Sequence, residues 1–368
     1  MCRRGRLHHI MFCGIYCAGL IGAIEFFLSL YLTGFLFMNY RMLGSTSWRV
    51  SAIAFGAWQL GDQKYWGEHT DSDSEATVRM ALDSGINLFD TAEMYGAGES
   101  EVVLGKLLGA RRDDVYVASK FWPDHASGAG IKAACEASLK RLGTDRIDLY
   151  QVHWPSRTVP FAESAEALIA LLQEGKIRAV GVSNYGALDL ADWLPHGAVV
   201  SNQVGYNLLF RAPEFEILPA CRAHGIGVLV YMPLMQGLLS GRYASVEDIP
   251  VLRRRTRHFS SEREGTRHGE AGAESLTFQA LTEIRRIAAE AGIPMAELAL
   301  AWLLAQDGVT SAILGARRPA QLEGNLAAAS RGLSKDVLAA LDAATLPLRA
   351  HFGTNTDMWD GLGNSRIR

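Results

Sequence analysis

From about residue 50 onward the chain alternates short apolar runs with helix-length segments, and it does so eight times. That alternation builds βα units around a parallel sheet, since each return to the next parallel strand needs a helical crossover. The runs cover residues 52–57, 86–90, 115–119, 147–153, 177–183, 198–204, 226–231 and 310–314. The segments between them carry the helical period: Ile131, Ala134, Cys135, Leu139 and Leu142 fall on one face, and Ala165, Leu168, Ile169 and Leu172 on another. Gly143 and Gly175 follow these helices where a C-cap residue belongs. Eight such repeats over roughly 300 residues predict an α/β fold, a closed (β/α)8 TIM barrel, rather than an open doubly wound sheet. The Gly-x-Gly-x-x-Gly loop of the open dinucleotide folds is absent, and Gly225-Ile226-Gly227 precedes a strand instead of a helix. Ahead of the first strand, residues 41–44 and 48–51 read as an N-terminal β-hairpin that plugs the barrel floor. A polar, arginine-rich connection, residues 242–272, follows the seventh strand, and a loop of that length inside a compact domain is usually functional.

The balance of 49% hydrophobic and 20% charged residues supports a large core, and a net charge of −3 without a sustained basic face excludes nucleic acid as a partner. The five cysteines show neither a disulfide framework nor the spacing of a metal site, so no metal is expected. Residues 10–38 form an apolar run long enough to cross a bilayer, interrupted by Glu25. The arginines before it would send the remainder of the chain across the membrane, away from any cytosolic cofactor pool. Residues 1–38 are therefore read as a hydrophobic N-terminal extension ahead of a true start at Met38 or Met42. Residues 39–368 are the working barrel, cytoplasmic in location. The alternative is a protein anchored to the membrane through residues 10–38.

Barrel enzymes assemble their sites from the C-terminal ends of strands. The second strand ends in Asp90, the third in Lys120 and the fourth in His153, so an acid, an amine and an imidazole share one rim. Tyr95 follows Asp90 at a distance that lets it fold over the mouth. A phenol is a weak acid near neutral pH, and a neighbouring ammonium favours its ionised form. Lys120 is expected to provide that charge and so draw the Tyr95 pKa down, with Asp90 holding Lys120 protonated and His153 orienting a substrate oxygen. None of these groups carries out redox chemistry, so an organic hydride donor must be supplied. Taken singly, a strand-end Asp can be a helix cap, a Lys a rim charge and a His a core residue. The combination is far more specific.

With these motifs in view, the chain resembles the aldo-keto reductase superfamily, in its bacterial and potassium-channel β-subunit-like branch, from residue 40 to about residue 346. The resemblance rests on residues 90–96, Lys120, residues 149–155, 181–184 and 231–234. It implies Tyr95 as the acid, tuned by Lys120 and Asp90, with His153 orienting a small carbonyl substrate. It further implies that Ser183, Asn184 and Gln203 hold the nicotinamide carboxamide and that the Tyr231 ring stacks on the nicotinamide. Residues 237–242 are similar to the loop that lies over the cofactor diphosphate, which makes Gly241 and Arg242 contacts there. Gly315, Arg317, Gln321 and Asn325 match the adenosine end, and Arg317 is the ligand for a 2′-phosphate, with Arg318 as its competitor. The commonest mammalian-type pattern has Lys where this chain has Gly315 and Arg where it has Gln321, so preference for NADPH over NADH rests on Arg317. Ser156 stands where an acid is common, and Trp58, Trp122 and Trp154 point to an aromatic-walled mouth.

The activity implied is reversible, NADP-dependent reduction of aldehydes or ketones to alcohols. A nicotinamide-binding subunit that senses redox state and turns over slowly is the alternative. A Schiff-base lyase acting through Lys120 is disfavoured, because the amine nucleophile must be neutral and Asp90 keeps it charged.

Overall fold

The computed structural model describes residues 38–368. The expected apolar N-terminal extension, as far as residue 37, lies outside the described residues. Among the described residues no single helix is long and apolar enough to cross a membrane.

An antiparallel hairpin, β1 (Tyr40–Met42) and β2 (Arg49–Ser51), precedes eight barrel strands. These are β3 (Ile53–Gly56), β4 (Leu88–Asp90), β5 (Tyr116–Phe121), β6 (Ile147–Val152), β7 (Ile177–Ser183), β8 (Ser201–Gly205), β9 (Gly227–Tyr231) and β10 (Val309–Gly315). They pair in parallel and in chain order, and β10 closes on β3. All eight predicted runs therefore become barrel strands, with ends displaced by a few residues. Buried on both faces, they read as continuous apolar runs, which is why the sequence pattern was strong.

The hairpin seals the floor as expected. Leu43, Trp48 and Val50 pack with the inward side chains Ala54, Leu88, Ala118, Leu149, Ala179, Leu229 and Ile313. Arg41 donates from Nη1 to the Val309 carbonyl at 2.7 Å and from Nη2 to the Leu304 carbonyl at 2.7 Å, which ties the hairpin to the rim below β10. Gly44 is required at the turn: its φ is +51°, and a Cβ there would fall 2.1 Å from the Val200 carbonyl oxygen.

A second core lies between the sheet and the outer helices. In the helix Gly128–Leu142 the predicted face of Ile131, Ala134, Cys135, Leu139 and Leu142 is buried, and Gly143 ends the helix in the left-handed conformation. The helix Phe161–Gln173 departs from expectation. It buries Ser164, Ala165, Leu168 and Leu171, while Ile169 is 39% exposed. Ile169 lies on the face of Glu166 and Gln173, both exposed, and is carried outward with them.

Two short helices, Trp58–Gly61 and Gln63–Trp66, follow β3 and carry an aromatic cluster to the barrel mouth. Residues 242–272 form an irregular segment with one 3-10 turn, Val251–Arg253. Phe259 and His258 bury it completely at their positions, and Arg257 donates to Glu270 at 2.9 Å. The last residues return to the mouth, where Asp357 accepts two bonds from Arg366, at 2.8 and 2.9 Å.

Candidate active site

Asp90 is the last residue of β4, Lys120 lies one residue before the end of β5, and His153 directly follows β6. Adjacent parallel strands in register thus present the three side chains at one rim. Tyr95 opens a 3-10 turn, Tyr95–Gly98, after β4. That turn needs its glycines: Gly96 has φ +59°, and a Cβ on it would fall 2.0 Å from the Gly61 carbonyl oxygen.

The four side chains converge. Lys120 Nζ, fully buried, donates to Asp90 Oδ1 at 2.6 Å, to the Thr91 carbonyl at 2.9 Å and to the Tyr95 hydroxyl oxygen at 3.2 Å. An ammonium only donates, so Tyr95 accepts from Lys120 and keeps its own proton for another partner. The His153 ring stands edge-on to Tyr95 with centroids 5.7 Å apart and packs on Trp122 at 5.2 Å. Glu93 accepts the Trp122 backbone N–H at 2.7 Å and so fixes that wall.

The electrostatics agree with the expectation for Lys120 and run against that for Tyr95. Burial pulls the Lys120 pKa down, but Asp90 and Tyr95 outweigh it and hold the amine above its usual range, hence charged. Tyr95 runs against expectation. Lys120 does pull its pKa down, yet burial of the hydroxyl, reinforced by Asp90, is stronger and raises it. The phenol is therefore held protonated, and Lys120 moderates a rise instead of producing a fall. Burial, with Lys120 adding to it, depresses His153 well below its ordinary value, so the imidazole is neutral.

Asp90, Tyr95 and His153 open into a cavity of about 700 Å³ at the carboxyl ends of the strands, with Lys120 buried behind them. Ser183, Asn184, Gln203 and Tyr231 line it and form one network. Gln203 Nε2 donates to Asp90 Oδ2 at 2.7 Å, which turns the amide oxygen away from that carboxylate. Asn184 Nδ2 donates to the His153 carbonyl at 3.0 Å, and the Tyr231 hydroxyl donates to Asn184 Oδ1 at 2.7 Å. Asn184 has φ +62°, a left-handed conformation that Asn tolerates better than most residues.

At the other end of the cavity lie Arg242, Gly315, Arg317, Gln321 and Asn325. Gln321 Oε1 accepts the Arg317 backbone N–H at 3.0 Å and fixes that turn. Arg318 instead points outward, 3.8 Å from Asp73. Gly241 does not reach the wall; with φ +80° it turns the chain between Ser240 and Arg242, which do. Trp58, Trp122 and Trp154 line the mouth as expected.

The sequence reading passed over several residues found here. Arg253, from the long connection, lines the cavity beside Arg317 and sits over the Trp66 ring at 5.1 Å. Its Nε is buried without a partner, and it finds no carboxylate among the described residues. Burial first, then Arg253, Arg318 and Arg242, push the Arg317 guanidinium below its ordinary pKa. Arg317, Arg253 and Arg242, crowded together with no carboxylate partner among the described residues, fit a multiply charged anion such as a dinucleotide diphosphate or a 2′-phosphate. Trp359 and Arg366 come from the C-terminal segment: Trp359 stacks on Tyr231 at 6.2 Å, and the Arg366 guanidinium lies 3.6 Å from the Trp154 ring centroid. The arginine richness of the connection was a usable signal for Arg253; nothing in the local sequence marked Trp359.

Residues 52–345 match the family model described as the aldo/keto reductase family. Aldo-keto reductase YhdN of Bacillus subtilis is 36% identical over 301 residues, covering 78% of this chain and 87% of that protein. The NADH-specific methylglyoxal reductase of Escherichia coli is 34% identical, covering 79% and 94%. A putative voltage-gated potassium channel subunit beta of Schizosaccharomyces pombe is 34% identical, covering 78% and 87%. Among solved structures, the glycerol dehydrogenase AKR11B4 from Gluconobacter oxydans superposes with a TM-score of 0.71 at 30% identity, covering 86% of this chain and 97% of that one. An aldo-keto reductase from Klebsiella pneumoniae in complex with NADPH gives 0.65 at 34% identity, covering 83% and 95%.

Proposed function

The chain belongs to the aldo/keto reductase family, and from that premise we propose that it reduces aldehydes or ketones to alcohols with NADPH, Tyr95 giving the proton. The observation that carries the reading is the buried contact set around Lys120 Nζ, 2.6 Å from Asp90 and 3.2 Å from the Tyr95 hydroxyl.

When bound, the nicotinamide cofactor supplies the hydride. The protein's own groups do the remainder. A substrate carbonyl oxygen lies between the Tyr95 hydroxyl and the neutral His153 ring, both able to donate a hydrogen bond to it. As the carbonyl carbon is reduced, negative charge gathers on that oxygen, and Tyr95 transfers its proton there. The phenolate left behind forms beside the Lys120 ammonium, which is already in place and stabilises it without rearrangement. Asp90 keeps Lys120 charged throughout, and the same charge argues against a Schiff-base role for the amine.

Ser183, Asn184 and Gln203 would hold the carboxamide, the Gln203 amide being oriented by its bond to Asp90. Tyr231 would pack on the nicotinamide, and Gly241 and Arg242 would shape the diphosphate contact. Gly315, Gln321 and Asn325 would receive the adenosine, while Arg317 and Arg253 favour a 2′-phosphate and hence NADPH over NADH. Its place of work is the cytoplasm, or a membrane surface if residues 10–38 anchor the mature protein.

The test is steady-state oxidation of NADPH with a panel of nitrobenzaldehyde, methylglyoxal and small ketones. Turnover of at least one carbonyl is expected. The likeness to a channel subunit supports a second reading, a slow redox-sensing subunit. Tight NADPH binding with no turnover on the whole panel would favour it over the reductase.

A further inference from the structure

The turn that carries Tyr95 is not held by the barrel alone. The Trp58 indole stacks on the Tyr95 ring, with centroids 5.0 Å apart and planes at 14°. Asp62 anchors that indole by accepting its Nε1–H at 3.1 Å, and it also caps the next helix by accepting the Tyr65 backbone N–H at 3.1 Å. Tyr65 in turn stacks on Trp58 at 5.0 Å and 19°.

Tyr65 is outside the cavity wall, yet it meets the segments that frame the anion end. Its hydroxyl accepts from Gln236 Nε2 at 2.9 Å and donates to the Leu252 carbonyl at 3.2 Å. Arg255 lies over its ring at 5.4 Å, and Arg253 lies over the neighbouring Trp66 at 5.1 Å. Leu252, Arg253 and Arg255 all belong to the connection of residues 242–272, which also carries Arg242. Contact therefore runs without a break from that connection, through Tyr65 and Trp58, to Tyr95.

We propose that Tyr65 is a positioning residue that braces both ends of the site, its hydroxyl holding the arginine-bearing connection where the cofactor's phosphates would seat and its ring holding Trp58 against Tyr95. The proposal rests on Tyr95 being the proton donor. Two parts of one side chain serve the two ends: the hydroxyl holds the connection, and the ring holds Trp58 against Tyr95.

Substitutions separate them. Tyr65→Ala removes both. The KM for NADPH rises several-fold, and kcat with nitrobenzaldehyde falls roughly tenfold, since small misplacements of a catalytic group are costly. With Trp58 loosened, the Tyr95 hydroxyl is no longer held 3.2 Å from Lys120 Nζ, and the ammonium's downward pull on its pKa weakens. The alkaline limb of kcat, where the protonated donor is lost, moves to higher pH by about half a unit or more. Tyr65→Phe keeps the ring and loses both hydrogen bonds. It restores most of kcat and the position of the alkaline limb, while the NADPH KM stays raised. If the Ala variant melts below assay temperature, Tyr65→Leu, which fills space without a ring, carries the same readouts.

An alkaline limb that stays put in the ringless variant, or equal loss of kcat in the Phe and ringless variants, would overturn this two-part role. Wild-type protein that turns over no carbonyl would defeat the proton-donor reading before any variant is compared. Wild-type turnover with unmoved variants would defeat this inference alone.

Discussion

At the residue scale, one balance decides how the site works: burial against neighbouring charge. Lys120 and Asp90 are both taken out of water, and each is tolerable there because the other is 2.6 Å away. Tyr95 feels the same balance and comes out raised, His153 comes out depressed, and both states suit the proposed proton donor and its neutral hydrogen-bonding neighbour. The buried histidines also make the fold sensitive to acid. Burial, the largest influence, pushes His258 down to about 3 from 6.5, and His153 is likewise held low. Unfolding lets each take up a proton below its ordinary value, so the unfolded state binds more protons there and stability falls as pH drops from 6.5 towards the folded-state value. For His258 alone the loss is about 2 kcal/mol between pH 7 and pH 5. Urea denaturation of His258→Gln at the two pH values checks this. The variant is expected to lose less stability on acidification than the wild type, and an equal loss would count against the buried, neutral assignment.

At the scale of elements, what was legible and what was not divide by range of contact. Asp90, Lys120 and His153 were found because a strand end in a barrel is a known address, and β4, β5 and β6 are adjacent. The direction of the Tyr95 shift was not legible, since burial of the hydroxyl is a tertiary quantity. Ile169 reads as inward on periodicity with Ala165 and Leu168, yet it shares its helix face with Glu166 and Gln173, both exposed, and that polar face decides the rotation. Trp359 and Arg366 reach the mouth from the far end of the chain, and the segment that carries them has no regular strand or helix of length to announce it. The connection of residues 242–272 is legible from its length and polarity, and the structure brings its Arg253 to the cavity wall beside Arg317. Like Arg317, Arg253 lacks a carboxylate partner among the described residues, and the two are proposed as an anion site, so Arg253→Ala is expected to weaken NADPH binding by roughly 1.5–3 kcal/mol, or about 10- to 150-fold, as loss of a charge-assisted bond. NADH binding changes less if the contact is to the 2′-phosphate. Fluorescence titration with both cofactors distinguishes the outcomes, and equal loss for both would move Arg253 to the diphosphate.

At the scale of the whole molecule, the barrel's closure is what makes the site possible. β10 pairs with β3, so the strands form a ring with no edge, and the hairpin fills the floor while the opposite rim stays open. A chain of eight apolar runs had few other ways to bury them, which is why the architecture could be read before any side chain was placed. Function then concentrates at one rim, where groups far apart in sequence meet under the aromatic wall. The central claim is that Tyr95 is the proton donor of that rim. Tyr95→Phe keeps the ring that stacks on Trp58 and removes only the hydroxyl, so it tests the claim with little disturbance of packing. The account predicts that this variant binds NADPH with an affinity close to that of the wild type, while turnover of the best carbonyl substrate falls by about 10²–10⁴-fold, the usual contribution of a positioned acid. Turnover within a few-fold of wild type, with cofactor binding intact, would contradict it.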